Sequence, residues 1–241
     1  MNRGRRKGDE RVRMTKTSPK CVNLWPTSGS SCLRAFVPSW LSFRRMKLRI
    51  AILFSGGGTT LQNLIDATRD GRLPGVEIVK AVSSRADAYG IERCRAAGVS
   101  CVVVPAKAYS SPAEHTRAVF AHLDANEIDL VCLAGWMNRL VLEEPWLSNR
   151  VLNIHPSLLP AFGGPGMYGR RVHEAVLASG ATVTGCTVHF VTNELDEGPI
   201  VAQQPVPVEP GDTPDTLAAR VQAAERTLYV KALEWLRTRC R

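Results

Sequence analysis

The chain has 241 residues, 44% of them hydrophobic, and a formal net charge of +9. That length suits one large domain or two small ones, and no run of about 18 apolar residues offers a membrane span. The charge belongs to one end: residues 1–45 hold eleven of the 31 Lys and Arg and two of the 22 acids, leaving twenty of each in the remainder.

Residues 1–45 lack apolar periodicity and mix Ser, Pro and Gly with their basic side chains, which predicts a disordered extension. Without a continuous apolar stretch it makes a poor signal peptide. A basic tail can touch nucleic acid or anionic lipid. A solvated tail is the simpler expectation, so neither nucleic acid nor membrane is assigned as a partner. Met46 stands directly before the first strand; translation is expected to start there, giving a folded domain over 46–241. The seven Cys form no C-x-x-C pair. This usage predicts free thiols in a reducing cytoplasm, without a disulfide framework or a zinc site.

From residue 47 short apolar runs alternate with longer amphipathic ones. "LRIAILF" (48–54) reads as a strand, and "TTLQNLIDATRDG" (59–71) as a helix closed by Gly71. A strand (76–84), a helix (86–98), a strand (100–106) and a helix (111–127, with Pro112 just inside its start) follow. Then come a strand (129–135), a short helix around Glu143 to Asn149, and a strand, "RVLNIHP" (150–156). Near-continuous apolar strands separated by helices predict a parallel sheet covered on both faces. After residue 156 a Gly-rich loop leads to a helix, "RRVHEAVLASG". "TVTGCTVHFV" and "PIVAQQPVPV", joined by the turn-like "TNELDEG", predict an antiparallel pair at the sheet edge. Thr213 as N-cap and Pro214 at the first helical position open a long closing helix. The fold class is therefore α/β: an open, Rossmann-like, mostly parallel sheet with helices on both faces, antiparallel edge strands and a long C-terminal helix.

Two places carry candidate chemistry. "FSGGGTTLQN" (54–63) joins the first strand to the first helix. Its glycines permit positive φ and close approach, and the amides of Gly58, Thr59 and Thr60 point out of a helix start that favours an anion. It is neither a Walker loop nor a G-x-G-x-x-G fingerprint, since position 61 is Leu. The second place is the end of the 150–156 strand. Asn153 and His155 point to one face, at the C-terminal edge where open α/β sheets bind ligands. An amide can hold a developing oxyanion, and an imidazole can donate to it or move protons. There is no G-x-S-x-G elbow and no Cys beside the His, so the nucleophile is expected to belong to the substrate. A carboxylate to manage the amine's proton is available at Asp196, before Gly198 and Pro199. The plainer alternatives are a tightly packed glycine turn, a capped structural His and an Asx turn. His173 and His189 read as structural, and His115 and His122 as solvated.

"ILFSGGGTTLQNLID", "SSRADAYGIERCRAAGV", "DLVCLAGWMNRL", "LNIHPSLLPAFGG", "TGCTVHFVTNELDEGPIVAQQPVPV" and "ARVQAAERTLY" together resemble the phosphoribosylglycinamide formyltransferases, folate-dependent formyltransferases, over residues 47 to 236. The resemblance implies transfer of formyl from the co-substrate 10-formyltetrahydrofolate to the amine of 5′-phosphoribosylglycinamide (GAR) in purine biosynthesis. It implies no metal, and a cytoplasmic monomer or weak homodimer. It carries over Asn153, His155 and Asp196 as the catalytic trio, with His155 the proton donor. It gives Gly58, Thr59 and Thr60 to the GAR phosphate and Glu225 to the ribose. It gives Met137, Asn138, Arg139, Leu140 and Asn153 to folate, the loop acting largely through backbone. Departures from the family pattern are Thr60 for a frequent Asn, Asn138 for Arg, Pro112 for Arg and Pro165 for Lys. Other formyltransferases share the N-x-H-P-S-L-L-P strand, but a methionyl-tRNA formyltransferase is expected to add a C-terminal barrel and a formyltetrahydrofolate deformylase an N-terminal regulatory domain. A nucleic-acid-binding protein using the basic tail is the rival from another class.

Overall fold

The computed structural model describes residues 47–239; the expectations for residues 1–45 and for a start at Met46 lie outside the described residues. In chain order the elements are β1 (Leu48–Phe54), α1 (Thr59–Arg69), β2 (Val76–Ser83), α2 (Gly90–Ala97), β3 (Cys101–Val103), α3 (Pro112–Phe120), β4 (Leu130–Leu133), β5 (Val151–His155), α4 (Arg170–Ala178), β6 (Val183–Phe190), β7 (Ile200–Pro207) and α5 (Pro214–Arg239). The strands form one sheet in the order β3-β2-β1-β4-β5-β6-β7. β1 to β5 are parallel, and β6 and β7 join antiparallel.

β1 is apolar at successive positions because both of its faces are covered. Ile50, Ile52 and Phe54 enter a core with residues of α1, α2, α4 and α5, while Ala51 and Leu53 enter a second core with Val119 and Phe120 of α3. This distribution follows from topology. The chain winds from β1 to β3 in one direction and from β4 in the other, so right-handed crossovers put α1 and α2 on one face and α3 on the opposite one. Winding reverses between β1 and β4, the position beyond whose strand ends open α/β sheets bind ligands.

Local signals set the ends of several elements. Ser111 caps α3 by accepting from the Glu114 amide at 3.2 Å, and Thr213 caps α5 by accepting from the Thr216 amide at 3.2 Å. Other ends differ from expectation. α2 begins at Gly90, where the Gly90 amide donates to Gly56 O, and not at residue 86. α3 stops at Phe120, where the His122 and Leu123 amides donate to Val119 O and Phe120 O, three residues back, and tighten the last turn. β3 is only three residues long, since it pairs with β2 only over Ala81 to Ser83. The short helix expected near 143–149 is a 3-10 turn, Pro145–Leu147. No helix among the described residues is long and apolar enough to cross a membrane.

Candidate active site

Three parallel strands end side by side, β1, β4 and β5, and each C-terminal end leads into or carries part of the site. Neighbouring strands lie about 4.8 Å apart, so the ends of β1 and β5 are separated by roughly 10 Å. Ser55 knits the loops together: its amide donates to Gly135 O at 3.1 Å, and its hydroxyl accepts from the Met137 amide at 2.9 Å and from Ser84 Oγ at 2.7 Å.

The loop after β1 ends at Gly58, with φ +70°, which is the N-cap of α1. A Cβ on Gly58 would lie 2.9 Å from Gly90 Cα. Glycine is therefore required twice, for the left-handed backbone and for the close approach of α2. Among the described residues no side chain caps α1. Among the described residues the amides of Gly58, Thr59 and Thr60 have no acceptor, a row of donors at a positive helix end. Asn63, one turn further along α1, donates to Arg226 O at 2.8 Å and so brings α5 alongside the loop. Glu225 is adjacent. No hydrogen-bond donor among the described residues reaches its carboxylate, and burial pushes it up to about 7.

The loop after β4 carries Met137, which is 60% exposed, then half-buried Asn138, exposed Arg139 and buried Leu140. The Met137 amide is taken by Ser55. The amides of Asn138, Arg139 and Leu140 have no acceptor among the described residues, so this backbone offers hydrogen bonds to a planar heterocycle. Beyond it the Val141 amide donates to Thr116 Oγ1, and Leu142 exchanges hydrogen bonds with the side chain of Asn193.

On β5, Asn153 and His155 share a face and lie opposite His189 and Thr187 of β6. His155 is 4% exposed, and its Nε2–H donates to Phe162 O at 2.8 Å. That bond fixes the ring, so Nδ1 is the nitrogen that faces Asp196 Oδ2, at 3.4 Å. The Asp196 carboxylate is fixed in turn by the Gly164 amide, which donates to Oδ2 at 2.9 Å. Gly198 and Pro199 anchor this loop: a Cβ on Gly198 would sit 1.7 Å from Phe190 O, and the Phe190 amide donates to Pro199 O. Asp196 and Phe162 both adopt left-handed backbone, at φ 59° and 55°. Holding such residues there costs about 1–3 kcal/mol each, a form of strain that clusters at functional sites.

His189, read from sequence as structural, has a further task. It is 2% exposed, its Nδ1–H donates to Phe190 O at 3.0 Å, and burial holds its pKa below the ordinary 6.5. The ring is therefore neutral at pH 7. Its Nε2 accepts from Asn153 Nδ2 at 3.2 Å, which aims the Asn amide and leaves the second amide proton without an acceptor among the described residues. His115 corrects the expectation of a solvated side chain: it is 3% exposed, bonds Val104 O at 3.0 Å and stacks on Trp136 behind the β4 loop. His173, read as structural, is buried, and its Nδ1 has no hydrogen-bond partner among the described residues. A cleft lined by Thr116, Phe120, Val141 and Trp146 contains none of the predicted site residues. Among the described residues no group of three His, Cys, Asp or Glu is placed to hold a metal.

An amide, a fixed imidazole and a carboxylate at the mouth of an open α/β crevice, beside a loop of free amides, make a site suited to acyl transfer onto a substrate's own nucleophile. The formyl transferase family matches residues 48–233, and the chain belongs to that family. Within it the similarity extends to phosphoribosylglycinamide formyltransferases. The Escherichia coli protein of that name is 40% identical over 192 residues, covering 78% of this chain and 86% of that protein. The crystal structure of the Brucella melitensis protein matches with a TM-score of 0.71 and 43% identity over 79% of this chain and 96% of that one. The human trifunctional purine biosynthetic protein adenosine-3 is 40% identical over 86% of this chain, which spans 20% of that protein's length.

Proposed function

We propose that residues 46–241 transfer the formyl group of 10-formyltetrahydrofolate to the amine of GAR, in the cytoplasm and without a metal. The observation that carries this reading is the arrangement on β5: Asn153 aimed by His189, and His155 fixed through Nε2 with Nδ1 turned to Asp196.

GAR is held by its phosphate on the Gly58, Thr59 and Thr60 amides, with its ribose against Glu225 of α5. The separation of roughly 10 Å between the ends of β1 and β5 lets the glycinamide amine reach the formyl carbon. The pterin lies along the Met137, Asn138, Arg139 and Leu140 backbone. The amine nitrogen attacks the formyl carbon, and the C=O π pair moves onto oxygen. That oxyanion takes hydrogen bonds from the free amide proton of Asn153 and from protonated Nδ1 of His155. Asp196, an anion 3.4 Å from that nitrogen, stabilises the imidazolium by its charge and receives the amine proton through water. When the intermediate collapses, the pair returns to C=O, the bond to the folate N10 breaks, and that nitrogen takes, through water, the proton that Asp196 received from the amine. No acyl-enzyme forms. The protein mainly holds two substrates in register, worth up to roughly 7–11 kcal/mol in well-oriented systems.

An absorbance assay with GAR and 10-formyltetrahydrofolate tests this. Stoichiometric formyl-GAR and tetrahydrofolate are expected. Formate released without formyl-GAR would make the chain a hydrolase and overturn the reading.

A further inference from the structure

The geometry points to Arg93 of α2 as the residue that sets the phosphate loop for GAR, a role that rests on the reading of Gly58, Thr59 and Thr60 as the phosphate site. Arg93 Nε donates to Gly57 O at 2.8 Å, and Nη1 donates to Gln62 Oε1, on the first turn of α1, at 3.2 Å. Its guanidinium also lies over the Tyr89 ring, 5.1 Å from the centroid. One side chain thus clamps the loop to α1 from the α2 side.

The clamp has a directional consequence. In a trans peptide the carbonyl and the following N–H point in opposite directions. Binding Gly57 O to Arg93 therefore turns the Gly58 N–H away from Arg93, toward the open side where the Thr59 and Thr60 amides are also free. The backbone contact between Gly58 and Gly90 holds α2 close enough for this reach, and the Gly90 amide bonded to Gly56 O completes the attachment. Arg95, two residues on, is paired with Glu92 at 2.6 Å. Arg93 has no carboxylate partner among the described residues, so its charge stays uncompensated beside a loop that takes a dianion. Without the clamp, the Gly57–Gly58 peptide is free to rotate and withdraw a donor from the phosphate. Arg93 acts through the loop and is a positioning residue.

The test uses the full chain with Arg93→Ala, Arg93→Gln and Arg93→Lys, and two acceptors: GAR, and the same glycinamide riboside without its phosphate. Arg93→Ala is expected to raise the KM for GAR about tenfold or more, as for loss of a charge-assisted contact. Its kcat, its KM for 10-formyltetrahydrofolate and its activity on the riboside are expected to match wild type. Arg93→Lys keeps the charge but not the two-point clamp, and is expected to recover part of the loss. Arg93→Gln is the second neutral variant, and its melting temperature should stay within about 2 °C of wild type. A GAR KM unchanged in both neutral variants, or an equal loss on GAR and riboside, would overturn the role of Arg93. Wild-type protein that formylates neither acceptor would overturn the functional reading beneath it.

Discussion

Glu225→Gln separates a stability cost from the proposed contact with the GAR ribose. The carboxyl's ordinary value is 4.5, and burial on α5 pushes it up to about 7. Below pH 4.5 the group is protonated in both the folded and the unfolded chain and contributes nothing. Between 4.5 and 7 the unfolded chain releases the proton while the folded chain keeps it, so folding becomes less favourable as pH rises. Above 7 the folded protein carries the full cost of a desolvated charge. At about 1.36 kcal/mol per pH unit the gap corresponds to roughly 3 kcal/mol. Glu225 is only half-buried as a residue, so water screens part of this, and about 1–2 kcal/mol is the expected gain for Glu225→Gln at pH 8. In a domain of this size that raises the melting temperature by about 2–4 °C per kcal/mol. Urea denaturation from pH 4.5 to 8.5 should show wild type and variant converging in acid and diverging up to pH 7. The same variant should raise the KM for GAR about tenfold at pH 8 with the folate KM unchanged. A stability difference that does not vary with pH would refute the reasoning, because it would assign the effect to packing and not to charge.

His155→Ala, Asn153→Ala and Asp196→Asn should each lower kcat by on the order of a hundredfold, non-additively in combination, with much smaller changes in substrate binding; near-normal turnover in His155→Ala, or a trapped formyl-enzyme, would count against direct attack. Gly58→Ala should destabilise the fold by about 1–3 kcal/mol, through its positive φ and the Gly90 contact. Gly56→Ala, whose Cβ meets nothing within 4 Å, should melt with wild type. Burial lowers the pKa of His173 and His189, so their contribution to stability is present above pH 6.5 and lost as the pH falls through their folded values. In a Glu225→Gln background stability should drop in acid, and His189→Phe should reduce that drop while lowering kcat through loss of the Asn153 acceptor. A pH-independent stability would refute this.

β1, β5 and α5 were legible because their causes are local: an unbroken apolar run, alternation of faces along a strand, and Thr213 with Pro214 at a helix start. Asn153, His155 and the glycine loop were legible for a related reason, since period-two geometry and the C-terminal edge of a parallel sheet place them without knowledge of any partner. The partners themselves came only with the tertiary structure. His189 meets Asn153, and Arg93 meets Gly57, across 36 residues of chain in each case. Periodicity put His115 on a helix but could not say which face met the sheet, and it could not show that Glu225 would lose its water. The start of α2 depends on the Gly56 carbonyl, and the Nε2 bond of His155 on a loop turned by Phe162. Sequence determines what one segment prefers by its own geometry. Which distant groups then share a dry, crowded volume, and so acquire a proton, an orientation or a displaced pKa, is decided when the sheet order brings them together.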